Sequence, residues 1–399
     1  MPPAVATSAE PSTSAVPRGR SRLRTLWRRV HLSLGLVAGL ILAVVGASGA
    51  ALVFAEPIVR AEHGPALFPD GAPPSPAWPP VEAWMARAKA RHPELETILV
   101  VAAPHAAPLP AAVPLVAGHL RHDPGAPEEH GVVAVDVASG DPRGFIVIER
   151  SWWGFLVHLH AALMVPPYGL FATAVAGILF LISAATGVYL WWPRNDRTWR
   201  QALTVKSGAS GRRLLLDWHN VLAVWLLVPL TAAILSGVYL LRPMWFDWAL
   251  AGVSTLRAPA PGLLAPAPEG ACPGGAGPDR ALAVARAAYP DLSFRLLIMP
   301  EKAGAPYQLS LAPPDAPHRV QSTELWIARD CPRLLFARTG NDLSAAETLK
   351  SWISPIHARF ALGPAGQALM VLVGLSLPAL FVTGLWLWIA KFRARARRG

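Results

Sequence analysis

The sequence predicts a membrane α-helical fold: a four-helix transmembrane bundle built from a duplicated helix-domain-helix unit, with two small α+β domains outside the membrane. Three observations predict it, namely four long uncharged apolar runs, an uneven distribution of basic residues, and an internal repeat. Of the 399 residues, 53% are hydrophobic and 15% are charged, whereas about a quarter of the residues of a soluble protein are charged. This composition excludes a disordered chain. Two cysteines, Cys272 and Cys331, are too few for a disulfide scaffold.

Four segments lack Asp, Glu, Lys and Arg over the length of about 20 residues that a helix needs to cross a bilayer. They are residues 32–55, 168–193, 220–241 and 361–390. Their borders carry the tryptophans typical of membrane interfaces, among them Trp27, Trp191, Trp192, Trp245, Trp386 and Trp388. The alternative for the first run is a cleaved signal peptide, but the run is longer than the apolar part of such a peptide and has a partner in the third run.

The basic residues sort by segment. An arm (1–30), a link (194–218) and a tail (391–399) together hold 17 basic and 3 acidic residues, while the two long segments between the spans, 56–167 and 242–360, hold 19 basic and 22 acidic residues. The positive-inside rule therefore places the arm, the link, the tail and both termini in the cytoplasm, and the loops 56–157 and 242–354 outside. The net charge of +11 follows from this topology. We expect the bilayer, and no nucleic acid, as the partner of these basic residues.

An internal repeat relates the two halves of the chain. At an offset of 197 residues and without a gap, the segment 160–192 matches the segment 357–389 through His160 and His357, Gly169 and Gly366, Gly177 and Gly374, Thr186-Gly187 and Thr383-Gly384, and Trp191 and Trp388. At an offset of 188, the first span (31–55) matches the third (219–241) through His31 and His219, and Ser48-Gly49 and Ser236-Gly237. Because both copies cross in the same sense, an axis along the membrane normal should relate them.

Each outside loop shows a short helical pattern followed by strands. We expect helices at residues 81–91 and 280–288. We expect strands at residues 97–102, 132–137, 294–299, 307–311 and 324–328. The proline-rich stretches 73–80 and 259–278 are typical of linkers to the membrane.

Four of the twelve histidines occupy repeat-equivalent positions. His31 and His219 lie at the cytoplasmic ends of the first and third spans, whereas His160 and His357 lie just outside the second and fourth. A ring nitrogen from each of two facing helices is the ligand set of a six-coordinate haem iron, and Gly35 and Gly39 would leave room for a flat macrocycle. We therefore predict two bis-histidine b-type haems; no Cys-x-x-Cys-His motif supports covalent attachment. One alternative is that these histidines cap helices or anchor lipid headgroups. Another is a metal ion, for which two ligands at each level are too few.

For the remaining residues of interest, the sequence supports weaker predictions. His158 stands beside His160, but its repeat partner is Pro355, so we expect a supporting contact rather than a ligand. Arg28, Arg29, Arg212 and Arg213 could pair with haem propionates. Seven histidines of the long loops have no repeat partner, and we expect their side chains to be solvated: His63, His92, His105, His119, His122, His130 and His318. For those between residues 105 and 130, weak metal binding is an alternative. Cys272 and Cys331 form either a disulfide or two independent thiols.

These residues resemble the PepSY-associated transmembrane family, the iron-regulated membrane proteins that include siderophore-iron reductases. The resemblance covers the chain from about residue 22. Its motifs are Arg29-Val30-His31 with Gly35, Leu159-His160, Trp218-His219-Asn220, Ile356-His357 with Gly363, and the Thr-Gly-x-x-x-Trp endings at 186–191 and 383–388. Ala358-Arg359 departs from the small residues usual after the fourth histidine. The outside loops resemble the family's PepSY domains.

The resemblance implies a bacterial inner-membrane protein that holds b-type haem on His31, His160, His219 and His357. It implies electron flow to a ferric siderophore in the periplasm, with release of iron(II). Since the sequence has no nucleotide-binding fingerprint, the donor would be membrane quinol or a separate cytoplasmic flavoprotein. Two alternatives are a haem conduit to another periplasmic oxidoreductase and a haem-free PepSY membrane protein that binds or regulates other proteins.

Overall fold

The fold was analysed in a computed structural model. It describes residues 18–71, 76–107, 109–193, 199–257, 277–302, 304–314, 322–358 and 363–396. The helices of these residues are α1 (Arg18–Leu52), α2 (Ala55–Leu67), α3 (Val81–Arg91), α4 (Trp152–Ala162), α5 (Tyr168–Trp191), α6 (Trp199–Ala202), α7 (Gly211–Trp225), α8 (Leu227–Leu241), α9 (Met244–Val253), α10 (Pro278–Ala288), α11 (Ala345–His357) and α12 (Gly363–Ala396). The strands are β1 (Leu95–Ala102), β2 (Leu115–Leu120), β3 (His130–Val135), β4 (Pro142–Val147), β5 (Ser293–Ile298), β6 (Tyr307–Ala312), β7 (Thr323–Ile327) and β8 (Leu334–Arg338).

Three helices of the described residues, α1, α5 and α12, are each long and apolar enough to cross a membrane. The third predicted span is a pair of helices, α7 and α8, bent by 64° where they meet. The bend follows from Pro229, whose ring lacks a donor and clashes with the carbonyl four residues earlier, that of Trp225, the last residue of α7. The chain is therefore a membrane protein whose described residues include three candidate spans, each a single helix, and a fourth if the bent pair counts as one.

The long helices pack through small residues. Helix α1 lies between α5 and α12, α5 also contacts α8, and α12 contacts α7. At the crossing of α1 and α12, a Cβ on Gly46 would lie 2.5 Å from the carbonyl oxygen of Gly374, and a Cβ on Gly374 would lie 2.6 Å from that of Gly46. Only glycines permit this approach, which is typical of helix pairs in lipid. Large apolar side chains cover the outward faces, as a lipid environment requires: Val37, Leu40, Val228, Leu372 and Val382.

The eight strands form one antiparallel sheet in the order β4-β3-β2-β1-β5-β6-β7-β8. The first four strands come from the first long loop and the last four from the second. They join where β1 pairs with β5, with Val101 opposite Leu297. We expected two separate small domains, so the shared sheet is a difference from that prediction. Pairing β1 with β5 satisfies two strand edges that separate domains would leave open.

Helices α3 and α10 lie side by side on one face of this sheet, where Val81, Trp84, Ala281 and Leu282 pack on its buried residues. Helix α2 and Trp153 cover the opposite face of the first four strands. Two helices then connect the sheet to the membrane, since α4 follows β4 and packs on α1, whereas α11 follows β8 and packs on α8. The sheet therefore sits directly over the ends of the long helices.

The predicted helices of the loops agree with α3 and α10, and the five predicted strands agree with β1, β3, β5, β6 and β7 within three residues. Strands β2, β4 and β8 were missed. Most of the two proline-rich stretches, together with Cys272, His318 and Arg359, lies outside the described residues. Cys331 is disulfide-bonded, and Cys272 is the only other cysteine of the chain.

Candidate functional site

The structure brings the four repeat-equivalent histidines together as two pairs. His31 on α1 faces His219 on α7, with ring centroids 6.5 Å apart and ring planes at 88°. His160 on α4 faces His357 on α11, with centroids 5.9 Å apart and planes at 47°. The first pair lies at the end of the long helices remote from the sheet, and the second lies at the end next to it. We call them the remote pair and the near pair.

Both rings of the remote pair are held by the ends of the following long helices. The Nδ1 of His31 lies 2.9 Å from the Ser183 carbonyl oxygen and 3.2 Å from Thr186 Oγ1. The Nδ1 of His219 lies 2.9 Å from Thr383 Oγ1. Because the hydroxyl of Thr383 donates to the Ala379 carbonyl at 2.8 Å, this oxygen accepts the Nδ1–H of His219.

The near pair is held in the same way by the first helix of each repeat. The Nδ1–H of His160 donates to the Val45 carbonyl at 2.8 Å, and that of His357 donates to the Ala233 carbonyl at 3.0 Å. Ser236 Oγ lies 3.2 Å from His357 Nδ1. A histidine whose Nδ1 carries the proton presents the lone pair of Nε2, which is the nitrogen left to bind a metal.

A glycine lies against each of the four histidine rings. A Cβ on Gly187 would lie 3.0 Å from Cε1 of His31, one on Gly49 would lie 2.7 Å from Cε1 of His160, and one on Gly237 would lie 2.8 Å from that of His357. For Gly384 and His219 the distance is 3.6 Å. A larger residue at Gly49 or Gly237 would therefore collide with the ring it faces, and one at Gly187 would be in tight contact with His31.

The distance between the two pairs follows from the positions of their residues along α1. His31 belongs to the remote pair, and the Val45 carbonyl that holds His160 follows it by 14 residues. With a rise of about 1.5 Å per residue, the two levels lie roughly 20 Å apart along the helix. His219 and the Ala233 carbonyl have the same spacing in sequence.

Sequence reasoning did not assign a role to the residues that hold the rings. Thr186-Gly187, Thr383-Gly384, Ser48-Gly49 and Ser236-Gly237 were found only as matches between repeats. The structure places a glycine of one such dipeptide against each histidine. The available signal was the coincidence itself, because four histidines and four hydroxyl-glycine dipeptides recur at the same two offsets.

The other residues predicted to support the histidines lie as follows. His158 Nδ1 is 2.9 Å from the Gly154 carbonyl of its own helix. A Cβ on Gly35 would meet open space, whereas one on Gly39 would lie 3.1 Å from Phe381, so Gly35 alone of these two adjoins free volume. Arg213 pairs with the buried carboxylate of Asp217 at 2.9 Å. Arg28, Arg29 and Arg212 are exposed.

The donor set is compatible with a haem between the rings of each pair. An ion with an imidazole nitrogen on each side at about 2 Å separates the two ring centroids by about 6 Å, close to the 6.5 Å and 5.9 Å found here. Within the described part of the chain, no group of three or more His, Cys, Asp or Glu side chains could hold a metal ion. Between apolar membrane helices, where water does not complete the coordination shell, two nitrogens alone leave a transition ion short of ligands, whereas a macrocycle supplies four more.

The loop histidines lie on the sheet domain, apart from these pairs. His92 stacks on Phe145 with ring centroids 4.3 Å apart. His119 and His130 form a third pair, with centroids 4.9 Å apart. The Nε2 of His63 is buried without a hydrogen bond among the described residues.

Two comparisons with known proteins bear on the chain. The sequence model of one family, the PepSY-associated TM region, matches residues 28–391, which is most of the chain and includes all four histidines of the two pairs. No curated protein matches the sequence.

Proposed function

We propose that this chain, which belongs to the family of the PepSY-associated TM region, is a di-haem b reductase of the bacterial inner membrane that passes electrons to ferric siderophore in the periplasm. The observation that carries the proposal is the pairing of four repeat-equivalent histidines, each held through Nδ1, at two levels of the helices. In this proposal the duplicated unit forms a four-helix bundle, and the chain crosses the membrane four times.

The proposal assigns His31 and His219 to a haem near the cytoplasm, and His160 and His357 to a haem near the periplasm. A bound b-type haem supplies one-electron chemistry, since its iron cycles between the ferric and ferrous states. The residues of the chain hold and orient the ligands: the carbonyls of Ser183, Val45 and Ala233 and the hydroxyl of Thr383 fix the Nδ1–H tautomer. This fixed tautomer raises the basicity of Nε2.

The direction of electron flow rests on the distribution of charge. The positive-inside rule places the basic arm, link and tail in the cytoplasm, together with both termini. The remote pair then lies near the electron donor, for which we propose membrane quinol or a cytoplasmic flavoprotein. The near pair lies next to the shared sheet, which would meet the acceptor in the periplasm.

The substrate would be iron(III) held by a chelator with hard oxygen ligands. Gain of one electron gives iron(II), which such ligands hold less tightly, so reduction releases the metal. An electron conduit to another periplasmic oxidoreductase uses the same two pairs and differs only in the acceptor. A haem-free protein that binds or regulates others would not need Nδ1 hydrogen bonds at all four rings, and this favours the redox proposal.

The first experiment is an optical spectrum of the detergent-purified protein, oxidised and dithionite-reduced, with a pyridine haemochrome count. We expect two b-type haems per chain. His160→Ala should reduce the count to one, whereas His158→Ala, two residues away on the same helix, should leave two. A colourless protein would reject both redox functions. A di-haem protein whose reduced form is not reoxidised by ferric siderophore would reject the siderophore as acceptor and favour the conduit.

A further inference from the structure

We infer that His119 and His130 form a second kind of metal site, a cross-strand pair on the sheet domain that binds a divalent first-row transition ion through two imidazole nitrogens. This site lies outside the two membrane pairs and does not depend on the proposed haems. Its remaining coordination positions would be filled by water. Imidazole ligands suit zinc, copper, iron and nickel ions, and disfavour magnesium and calcium.

The register of the sheet brings the two side chains together. His119 on β2 lies directly opposite His130 on β3. The neighbouring Leu120 N–H donates to the Glu129 carbonyl at 2.9 Å, so 120 and 129 are a hydrogen-bonded pair, and 119 and 130 are a non-hydrogen-bonded pair. Side chains approach most closely across non-hydrogen-bonded pairs. The backbone of two paired strands therefore fixes the separation of the rings.

The ring geometry differs from that of the membrane pairs. Two imidazoles on adjacent positions of one ion, each about 2 Å away, place the ring centroids about 5 Å apart. The centroids of His119 and His130 are 4.9 Å apart, with the ring planes tilted by 44°. The membrane pairs have centroids 6.5 Å and 5.9 Å apart, as for ligands on opposite sides of an ion.

A carboxylate orients one of the two rings. Glu149 Oε1 lies 2.7 Å from His130 Nδ1, and Glu149 Oε2 accepts the His130 backbone N–H at 2.8 Å. The Nδ1–H of His130 therefore donates to a carboxylate and leaves Nε2 to bind the ion, an arrangement common behind metal-bound histidines. The side chain of His130 is 38% exposed, so an ion and its waters can reach the pair.

Two ligands from the protein give a site that exchanges its ion. Among the described residues the pair has no third possible ligand grouped with it, so the proposed site takes two ligands from the protein. This open site lies on the sheet, beside the connection from β4 to α4 that carries Glu149. The nearby Glu149 adds the negative charge that favours a cation.

The test uses the full-length protein, purified in detergent with a tag that contains no histidine, and Ni²⁺ alone as the probe in isothermal titration calorimetry. We expect one saturable site, and at least tenfold weaker binding in His119→Ala and in His130→Ala, because each change removes one arm of the chelate. His122→Ala, a histidine just beyond β2, is the matched control and should bind like the wild type. Glu149→Gln should weaken binding by about tenfold.

The wild-type protein gives a second readout that needs no variant. Pulsed electron paramagnetic resonance of one equivalent of Cu²⁺ should show two imidazole nitrogens on the ion. Unchanged Ni²⁺ binding in both alanine variants, an equal loss in His122→Ala, or fewer than two nitrogens on Cu²⁺ would overturn the site. Haem content should stay the same in His119→Ala and His130→Ala, so failure of this site and failure of the proposed function are distinguishable.

Discussion

The two histidines of the remote pair differ in how closely a threonine hydroxyl approaches them. Thr186 Oγ1 lies 3.2 Å from His31 Nδ1, which also has the Ser183 carbonyl at 2.9 Å. Thr383 Oγ1 lies 2.9 Å from His219 Nδ1, which also has a backbone hydrogen bond at Leu380. We predict that Thr383→Val weakens retention of the haem that we propose at this level by about tenfold, since loss of a ligand's supporting hydrogen bond typically costs that much or more. Thr186→Val should have a smaller effect. The measurement is the rate of haem transfer to apomyoglobin, and equal rates for the two variants would contradict the prediction.

The pairing of the four histidines could be predicted from sequence because the repeat separates them from the other eight. The partners of their Nδ1 atoms could not, because three of them are backbone carbonyls of residues whose side chains carry no signal: Val45, Ser183 and Ala233. The glycines were visible as repeat matches, but their role depends on which helix lies against which ring. That information is in the packing of α1, α4 and α5, not in any local pattern.

At the scale of single elements, helix α11 positions His357, and its first turn is fixed by an ion pair. Glu347 is buried and completes a capping box with Ser344. The Arg257 guanidinium bonds both carboxylate oxygens, with Nη2 2.8 Å from Oε2 and Nε 3.2 Å from Oε1. These hydrogen bonds lower the pKa of Glu347 from 4.5 to about 2.

A pH dependence of stability follows from this lowered pKa. An acid whose pKa is lower in the folded state stabilises the fold fully above its unfolded pKa, 4.5, and that contribution is lost as the pH falls towards 2. We predict that Glu347→Gln lowers the free energy of unfolding by about 2 kcal/mol at pH 7. Near pH 2, where Glu347 of the wild type becomes protonated, most of the difference between the two proteins should disappear. Thermal melts followed by tryptophan fluorescence measure it. Glu56→Gln, which breaks the exposed pair with Arg60, is the control; an equal effect there would contradict the prediction.

The elements that sequence reasoning found are those with a strong local pattern. Helix α3 has the predicted bounds, Val81–Arg91. Strands β2 and β4 were missed because they contain glycines, which lower strand propensity; Gly118 in β2 is required because a Cβ there would lie 1.9 Å from the Thr97 carbonyl oxygen. The bend between α7 and α8 had a local cause in Pro229, but proline is common in membrane helices and α12 contains Pro378 without a break.

At the scale of the whole molecule, the two repeats also contact each other outside the long helices. The strands of the two loops join at β1 and β5, and no local pattern could reveal a pairing between residues nearly 200 positions apart. Helices α3 and α10 also meet at their first turns. The backbone N–H of Glu82 donates to Asp279 Oδ1 at 3.2 Å, and the backbone N–H of Asp279 donates to Glu82 Oε1 at 3.1 Å. Each helix therefore supplies a carboxylate to the free amides at the start of the other.

These reciprocal hydrogen bonds predict that a substitution in one loop affects a helix of the other. Asp279→Ala removes an acceptor from the first turn of α3, although Asp279 belongs to the other repeat, and the loss of one such acceptor costs about 1 kcal/mol. We expect faster hydrogen-deuterium exchange at the amide of Glu82, measured by mass spectrometry on the full-length protein. Asp291→Ala, at an exposed acidic residue just after α10, is the matched control and should leave this amide unchanged. If Asp279→Ala accelerates exchange only within α10, the two loops fold as independent domains and the shared sheet does not couple them. If exchange rises in α3, the two loops form one unit, and a change in one loop reaches both helices that lead from the sheet to the near pair.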